Sequence, residues 1–295
     1  MGLKLPKTFT PNWSFRMANL PPPPAPPKGN AASQAKPNQA RSFTVSTGIK
    51  PSAQALALYG PGGVGKTELC SLMKLVGINP LFLDLENGTK FLDVARIDDI
   101  TDWDTLRSAV QSTKDNKDFD AIVIDSFTKA QELASDWVVA NVAHEKGPNY
   151  KIIKNIEDYG WGKGGSHIYD QCILLLSDLD AAIRSGKHVV LIAHDCVSTV
   201  PNPQGEDWIR YEPRLQSPPK GHYSVRHRVK EWCDHMLFVC FDTATKDRKG
   251  TGSGTRSIYP HEMPSHWAKS RSLKNVIAYD KGDPELWKQV FKKGN

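Results

Sequence analysis

The sequence lacks the apolar segments that would place a chain in or across a membrane. None of its apolar runs approaches the roughly 18–20 residues that a membrane-spanning helix needs. The first twenty residues also lack the apolar centre of a secretory signal peptide, because Pro6, Pro11 and Asn12 interrupt them. We therefore predict a protein without a membrane segment, located in the cytoplasm.

Cysteine is scarce, and its pattern does not suggest pairing. The five cysteines are odd in number, widely spaced and set mostly in apolar runs. Their spacings, alone or with the nearby histidines, match neither a disulfide framework nor an established zinc site. We predict reduced, buried thiols and no structural metal.

Acidic residues are absent from the first 67 positions. Residues 1–50 hold seven Lys and Arg, so most of the net charge of +6 comes from this segment. Residues 1–41 also contain the run PPPPAPP and cannot form a core. We predict a disordered, basic, proline-rich tail over 1–41, which is either a solvated leader or a tether for a phosphate backbone or a partner.

From residue 42 onward, short apolar runs alternate with segments of helical periodicity. We predict strands at 55–59, 80–85, 120–124, 188–193 and 235–241, and helices near 66–76, 102–113, 126–144 and 165–185. This alternation predicts one α/β domain over 42–295 with a mostly parallel sheet flanked by helices. A glycine-rich, hairpin-like turn and a last amphipathic helix over 285–291 make residues 243–295 a C-terminal appendage of that domain.

The stretch ALALYGPGGVGKTELC, residues 55–70, contains the pattern G-x-x-x-x-G-K-[ST] between a predicted strand and a predicted helix. Its glycines let backbone N–H groups turn inward around a phosphate, and the helix start adds partial positive charge. We expect Lys66 to reach the β- and γ-phosphates of ATP and Thr67 to bind Mg²⁺. The predicted nucleotide-binding set is Gly60, Pro61, Gly62, Gly63, Val64, Gly65, Lys66, Thr67 and Glu68.

Carboxylates at two other strand ends complete the expected chemistry. Asp125 ends the buried run in FDAIVIDSF, where it can share Mg²⁺ with Thr67. A serine follows it, so the carboxylate that activates water must come from another strand. The run PLFLDLENG offers Asp84 and Glu86 for that role, the alternative being a pair of solvated strand-end acids.

The runs LFLDLEN and AIVIDS together resemble the core of RecA-type recombinases. The resemblance implies a RecA-like P-loop NTPase core in which Glu86 is the catalytic glutamate and Asp125 the metal-binding aspartate. It also implies a γ-phosphate sensor at the end of HVVLIAHD, where His194 stands. RecA itself has a glutamine-type residue at that place.

The ending LIAH and the C-terminal WAKSR resemble more closely the phage-encoded RecA-like ATPases associated with single-strand annealing and recombination. This resemblance covers about residues 50–290. It implies ATP and Mg²⁺ as cofactors, single-stranded DNA as a partner, a homo-oligomer (filament or ring) and a single-strand-binding protein as a candidate further partner.

Hydrolysis also needs a cation against the charge that develops on the γ-phosphate, and a neighbouring subunit often delivers it. We slightly favour Lys269 with Arg271, both in the WAKSR segment, over the basic run SVRHRVK. Solvated surface cations are the alternative for both sets.

Two segments between core elements, 144–167 and 195–228, are too long to be plain connections. They interleave aromatic and basic side chains, which stack on bases and neutralise phosphates. The predicted DNA-binding residues are Trp161, Lys163, Trp208, Arg210, Arg214, Lys220, Arg226 and Arg228. Local packing of a long loop, or a subunit contact, would explain the same residues.

The sequence thus predicts an ATP-dependent protein that binds single-stranded DNA in phage-type recombination or annealing and hydrolyses ATP with Mg²⁺. Three other classes stay open at this point. They are a ring-forming helicase or translocase, a small-molecule kinase, and a nucleotide-switched module that binds another protein.

Overall fold

The computed structural model describes residues 44–48, 52–144, 153–160, 162–218, 223–246 and 249–291. The chain divides into two units, Met1–Gly48 and Ile49–Asn295, and every described helix and strand lies in the second. The predicted tail over 1–41 lies outside the described residues. The division into a tail and one ATPase domain therefore stays a prediction.

A ten-stranded mixed sheet runs through the second unit. Its strands are β1 (Ala55–Gly60), β2 (Pro80–Asp84), β3 (Ala95–Ile97), β4 (Ala121–Asp125), β5 (His188–Val200), β6 (Trp208–Pro213), β7 (His235–Lys246), β8 (Lys249–Tyr259), β9 (Lys269–Ser270) and β10 (Ile277–Ala278). The main order is β10-β8-β7-β1-β5-β4-β2-β3, with β6 paired to β5 and β9 to β7. The six strands from β7 to β3 in this order are parallel, and β6, β8, β9 and β10 are antiparallel to their partners.

Helices cover both faces of the sheet. They are α1 (Lys66–Ser71), α2 (Trp103–Thr113), α3 (Phe127–Asn141), α4 (Lys163–Arg184), α5 (Val225–Trp232) and α6 (Glu285–Val290), with 3₁₀ turns at Leu72–Val76 and Ile156–Tyr159. Buried residues of α2 to α5 form one core, and those of α1 and α6 form the other. The predicted α/β class, with a mostly parallel sheet flanked by helices, is confirmed.

Strand β1 illustrates why these apolar runs become central strands. All six of its residues are buried. Ala55, Ala57 and Tyr59 enter one core, while Leu56 and Leu58 enter the other. A strand covered on both faces needs a continuous apolar run rather than alternation, which is the pattern that the sequence carries here.

Two strands continue well past their predicted ends, and this corrects the prediction for 195–228. Strand β5 runs on to Val200 and pairs with β6 as an antiparallel hairpin, and α5 begins at Val225. The prediction of a long loop over 195–228 is therefore wrong. The segment from Val197 to Val200 finds a partner strand only after the chain has turned back, so inspection of local sequence missed it.

The C-terminal segment is also more regular than predicted. The glycine-rich turn is mostly strand β8, which pairs with β7 along its length. The predicted helix 66–76 changes to a 3₁₀ turn at Leu72. In the described part of the chain, no helix has the length and apolar character to cross a bilayer.

The five cysteines are free, and Cys70, Cys172 and Cys233 are buried. Burial raises the pKa of the Cys172 and Cys233 thiols to about 12, so both stay protonated at neutral pH. The prediction of buried thiols is confirmed for Cys70, Cys172 and Cys233, while Cys196 and Cys240 are half-buried.

Helix α6 closes the second core through Trp287. Its indole is fully buried, donates a hydrogen bond to the Leu69 carbonyl and stacks on Phe291 with ring centroids 5.6 Å apart. The end of the chain thereby packs directly against the helix that follows the phosphate loop.

Replacing Trp287 with alanine should cost about 3–5 kcal/mol in the free energy of unfolding, because it opens a large cavity and removes the hydrogen bond from the indole to the Leu69 carbonyl. Urea denaturation followed by circular dichroism measures this loss. The control is Lys288→Ala on the same helix, whose exposed side chain should change stability by less than about 0.5 kcal/mol. Equal losses in the two variants would contradict the packing role of Trp287.

Candidate active site

The phosphate loop joins β1 to α1, and two of its glycines are required by geometry. Gly65 precedes α1 with a φ of 95°, a backbone conformation that residues with a side chain rarely adopt. At Gly60, an added Cβ would lie 1.9 Å from the Val239 carbonyl oxygen of β7. The sheet therefore packs against the start of the loop so closely that no side chain fits.

Lys66 lies over this loop. Its ammonium donates hydrogen bonds to the carbonyls of Gly60 and Pro61, at 2.7 and 2.9 Å. Burial lowers the pKa of Lys66, although the nearby carboxylates of Asp195, Asp125 and Glu86 act to raise it. A bound phosphate would replace the two carbonyls as the acceptor for this ammonium.

The Thr67 hydroxyl and the Asp125 carboxylate meet directly, with Oγ1 donating to Oδ2 at 2.6 Å. A Cβ built on Gly88 would lie 3.5 Å from that Oδ2 and 3.7 Å from the Thr67 Oγ1, so a glycine borders the same spot. A hydroxyl and a carboxylate are oxygen ligands of the kind that Mg²⁺ takes beside a phosphate loop. The residues present therefore fit this ion.

Asp125 is buried, and its pKa is raised to about 6, with burial as the largest cause. The nearby Asp84 and Glu86 also act to raise this pKa, while the hydrogen bond from Thr67 and the charge of Lys66 act to lower it. The peptide bond between Asp125 and Ser126 is cis, and the Ser126 hydroxyl caps α3 by accepting from the Lys129 N–H. A cation at this site would favour the ionised form of Asp125.

Asp84 and Glu86 have different surroundings, and this separates their roles. The buried Asp84 carboxylate accepts from the N–H groups of Glu86, Gly88 and Thr89 and from the Thr89 hydroxyl. Burial acts to raise the pKa of Asp84, but the hydrogen bonds, led by those from Thr89, hold it below its ordinary value. Asp84 thus shapes the turn after β2, and Glu86 is the acid that projects from it.

His194 contacts Glu86, with Nε2 3.0 Å from Oε2. It lies beside Gly60 in the register of β5 with β1, and its backbone N–H donates to the Thr128 hydroxyl of α3. The Glu86 side chain keeps 35% of its surface exposed, so the pair faces open space at the edge of the site. The structure thus brings Glu86, Asp125, His194 and the phosphate loop together, and the roles of these residues stay a prediction.

Lys269 and Arg271 lie at the other end of the strands. Lys269 pairs with Met236, which is beside Ala57 of β1, about 10 Å along the strand from Gly60. Its ammonium donates to the carbonyls of residues 230, 231 and 233 at the end of α5. Arg271 pairs with Asp234 at 3.2 Å. In this arrangement neither cation reaches the phosphate loop of its own chain, and action on a neighbour's nucleotide stays a prediction.

Three of the predicted DNA-binding arginines lie within ion-pair distance of acidic side chains. Arg210 and Arg226 both pair with the buried Glu212, and Arg228 lies 3.8 Å from Glu231. Trp208 and Arg214 are exposed, and Lys163 begins α4. Trp161 and Lys220 lie outside the described residues. Tyr159, an aromatic residue of the segment 144–167, is buried and donates to carbonyls of α3 and its cap.

Sequence reasoning missed four residues that contact the site or its loop. Thr128, which accepts from the His194 N–H, lies three residues after Asp125, and Asp195, whose charge acts on Lys66, follows His194, so their positions could have suggested them. Arg256 and Tyr279 donate hydrogen bonds to the loop carbonyls of Val64 and Gly65 from 192 and 214 residues away along the chain. No local pattern marks either residue.

Comparison with known proteins agrees with this geometry. The family described as AAA domain matches residues 52–272, three quarters of the chain. The chain belongs to this AAA domain family. Its loop, its Asp125 and its fold together make it a P-loop ATPase. A search of curated protein sequences gives no match.

Three solved structures are similar to this AAA domain chain at low identity. The RadB recombinase is 15% identical, with a TM-score of 0.35, over 70% of this chain and 80% of its own. A KaiC-like protein from Pyrococcus horikoshii OT3 is 13% identical, with a TM-score of 0.40, over 78% and 91%. The flagellar accessory protein FlaH from Methanocaldococcus jannaschii is 12% identical, with a TM-score of 0.34, over 78% and 85%. At these scores the likenesses carry no inference about this chain's activity.

Removing the Asp125 charge should stabilise the metal-free protein. The carboxyl pKa is raised in the fold, so the group opposes folding once it ionises, and the penalty grows as pH rises from about 4 through 6. Asp125→Asn should therefore unfold with a free energy up to about 3 kcal/mol higher at pH 7–8, and with no gain below about pH 4.

Urea denaturation in EDTA between pH 4 and 8 measures this difference. The control is Asp115→Asn, whose side chain is 81% exposed and which should behave like the parent at every pH. A gain for Asp125→Asn that is constant across the range would show that charge is not its cause.

Proposed function

We propose that this ATPase couples hydrolysis of ATP, with Mg²⁺, to binding of single-stranded DNA in recombination or annealing, and that it works as a homo-oligomer. The observation that carries the hydrolytic part is the position of Glu86. It leaves the turn after β2, contacts His194 and lies among the charges that surround Lys66. A carboxylate at this place can align and deprotonate the attacking water.

Each of the five residues at the phosphate site then has one role. Glu86 accepts the proton of the water, and His194, which holds Glu86 through Nε2, changes its contacts when a γ-phosphate is present. Lys66 balances negative charge on the phosphates. Thr67 and Asp125 would hold Mg²⁺, which supplies further charge neutralisation when it is bound.

The DNA-binding part rests on the β5–β6 hairpin. His194 and Asp195 belong to β5, and the same strand continues into the hairpin, so the sensor and the hairpin share one rigid element. Trp208 is 37% exposed and Ile209 is 67% exposed on β6, which offers surface for stacked bases. Because Arg210 and Arg226 are engaged with Glu212, we assign phosphate contacts first to Arg214 and Arg228.

The oligomer is proposed because hydrolysis needs a further cation at the γ-phosphate, and Lys269 of the same chain lies about 10 Å along the sheet from Gly60. Arg271, whose side chain is 65% exposed, and Lys269 are the favoured cations from a neighbour, followed by the basic residues of α5. A single-strand-binding protein is a candidate further partner. The phage association and cytoplasmic location are part of the same proposal.

Glu86→Gln should reduce the steady-state ATPase rate at least about a hundredfold while ATP still binds, because the amide keeps the shape of the side chain and loses the base. Lys66→Ala should lose both turnover and tight binding. Phosphate release and equilibrium binding of a fluorescent ATP analogue separate the two effects. Asp93→Asn, an acid a few residues further along the chain, is the control and should retain the parent rate. Normal turnover by Glu86→Gln would refute the assignment of the catalytic acid.

Trp208→Ala should lose stimulation of the ATPase by single-stranded DNA and keep the basal rate, because the indole lies on the hairpin and not at the phosphate loop. The rate is measured with and without a poly-dT oligonucleotide. The matched control is Phe241→Ala, an exposed aromatic on β7, which should respond to DNA as the parent does.

The same assay tests the other classes. A parent rate that ignores DNA would contradict the proposed coupling. Strand separation by the parent would favour a helicase or translocase, and tight ATP binding with negligible turnover would favour a nucleotide-switched module.

A further inference from the structure

Two residues from the C-terminal part of the chain hold the outside of the phosphate loop. The Arg256 guanidinium of β8 donates to the Val64 carbonyl at 3.0 Å. The Tyr279 hydroxyl, just after β10, donates to the Gly65 carbonyl at 2.9 Å. The two side chains also contact each other, with the guanidinium 4.3 Å from the centre of the tyrosine ring.

These contacts determine which way the loop peptides face. In a planar trans peptide the C=O and the following N–H point in opposite directions. Holding the Val64 carbonyl outward therefore turns the Gly65 N–H toward the inside of the loop. The Gly65 carbonyl accepts from the Leu69 N–H of α1 at 2.8 Å as well as from Tyr279, and the two bonds together turn the Lys66 N–H the same way. Inward N–H groups are the donors that a phosphate needs from such a loop.

The lack of a side chain at Gly65 leaves room for the Arg256 and Tyr279 donors. A Cβ at this position would lie 2.8 Å from both the Arg256 guanidinium and the Tyr279 hydroxyl. The glycine thus permits the two donors to reach the backbone, in addition to permitting the positive φ.

Arg256 also places an uncompensated charge near the loop. The residue is only 9% exposed, and among the described residues it forms no ion pair with an acidic side chain. A buried cation without a carboxylate is costly, and a bound polyphosphate would supply the missing negative charge. Burial and the nearby Glu68 raise the pKa of the Tyr279 hydroxyl, which therefore remains a donor at neutral pH.

We propose that Arg256 and Tyr279 are positioning residues for phosphate binding, which orient the N–H groups of the loop through the carbonyls of Val64 and Gly65. The proposal deepens the proposed function and rests on nucleotide binding at this loop. It assigns to the C-terminal segment a part in ligand affinity that is separate from the chemical step.

The variants Tyr279→Phe and Arg256→Met test it, since the first removes only the hydroxyl and the second keeps a long side chain without a donor. Each should weaken binding of both ATP and inorganic tripolyphosphate about three- to tenfold, the effect of losing one hydrogen bond. Isothermal titration without DNA measures both ligands. Tyr169→Phe, which removes a hydroxyl from α4, should bind both ligands as the parent does.

Three comparisons separate positioning from a general structural effect. Arg256→Lys, which keeps the charge and a donor, should recover most of the affinity. In Tyr279→Phe and Arg256→Met the KM for ATP should rise while kcat changes less than about twofold, because Glu86 and its water are untouched. A loss for ATP without a loss for tripolyphosphate would place the effect on the nucleoside and overturn the proposal.

Lys66→Ala is titrated in parallel. If it loses tripolyphosphate binding while Tyr279→Phe and Arg256→Met keep the parent affinity, the positioning role is wrong and the phosphate site stands. If Lys66→Ala itself keeps the parent affinity for tripolyphosphate, the phosphate site of the proposed function is wrong, and this inference falls with it.

Discussion

The parallel pairing of four neighbouring strands, β1, β5, β4 and β2, ends at one edge of the sheet, and the candidate site depends on that edge. The register places Gly60 beside His194 and Asp84 beside Asp125. Because all four strands leave the sheet on the same side, side chains that are far apart in the sequence meet without any dedicated scaffold. The order of the strands, and not closeness in the sequence, therefore brings these side chains together.

The meeting of these strand ends concentrates charge. Asp84, Glu86, Asp125 and Asp195 all lie close enough to one another or to Lys66 to affect pKa values. The fold compensates part of this charge internally, since backbone N–H groups bind the Asp84 carboxylate. Asp125 is left with a raised pKa in the metal-free protein, a stability cost of the kind that functional sites commonly carry.

The C-terminal segment is integrated with the nucleotide site. Trp287 reaches the helix after the phosphate loop, and Arg256 and Tyr279 reach the loop itself. A segment that packs in this way links the end of the chain to the first strand of the sheet. The segment contributes to the site by donating hydrogen bonds to backbone carbonyls of the phosphate loop. Several kinds of side chain can donate such bonds, so no sequence motif identifies these residues.

The sequence by itself determined the phosphate loop, the strand and helix alternation and the two strand-end acids, because each depends on residues that are close together in the chain. Glycine spacing, continuous apolar runs and a terminal aspartate are local signals with local causes. Only the tertiary structure decided that Asp84 holds its own turn while Glu86 projects, that Arg210 and Arg226 face Glu212, and that Lys269 caps α5. It also decided that β5 and β7 extend into hairpins and that Arg256 and Tyr279 support the loop. These outcomes depend on partners far away in sequence, whose pairing is settled by packing and charge compensation rather than by local propensity.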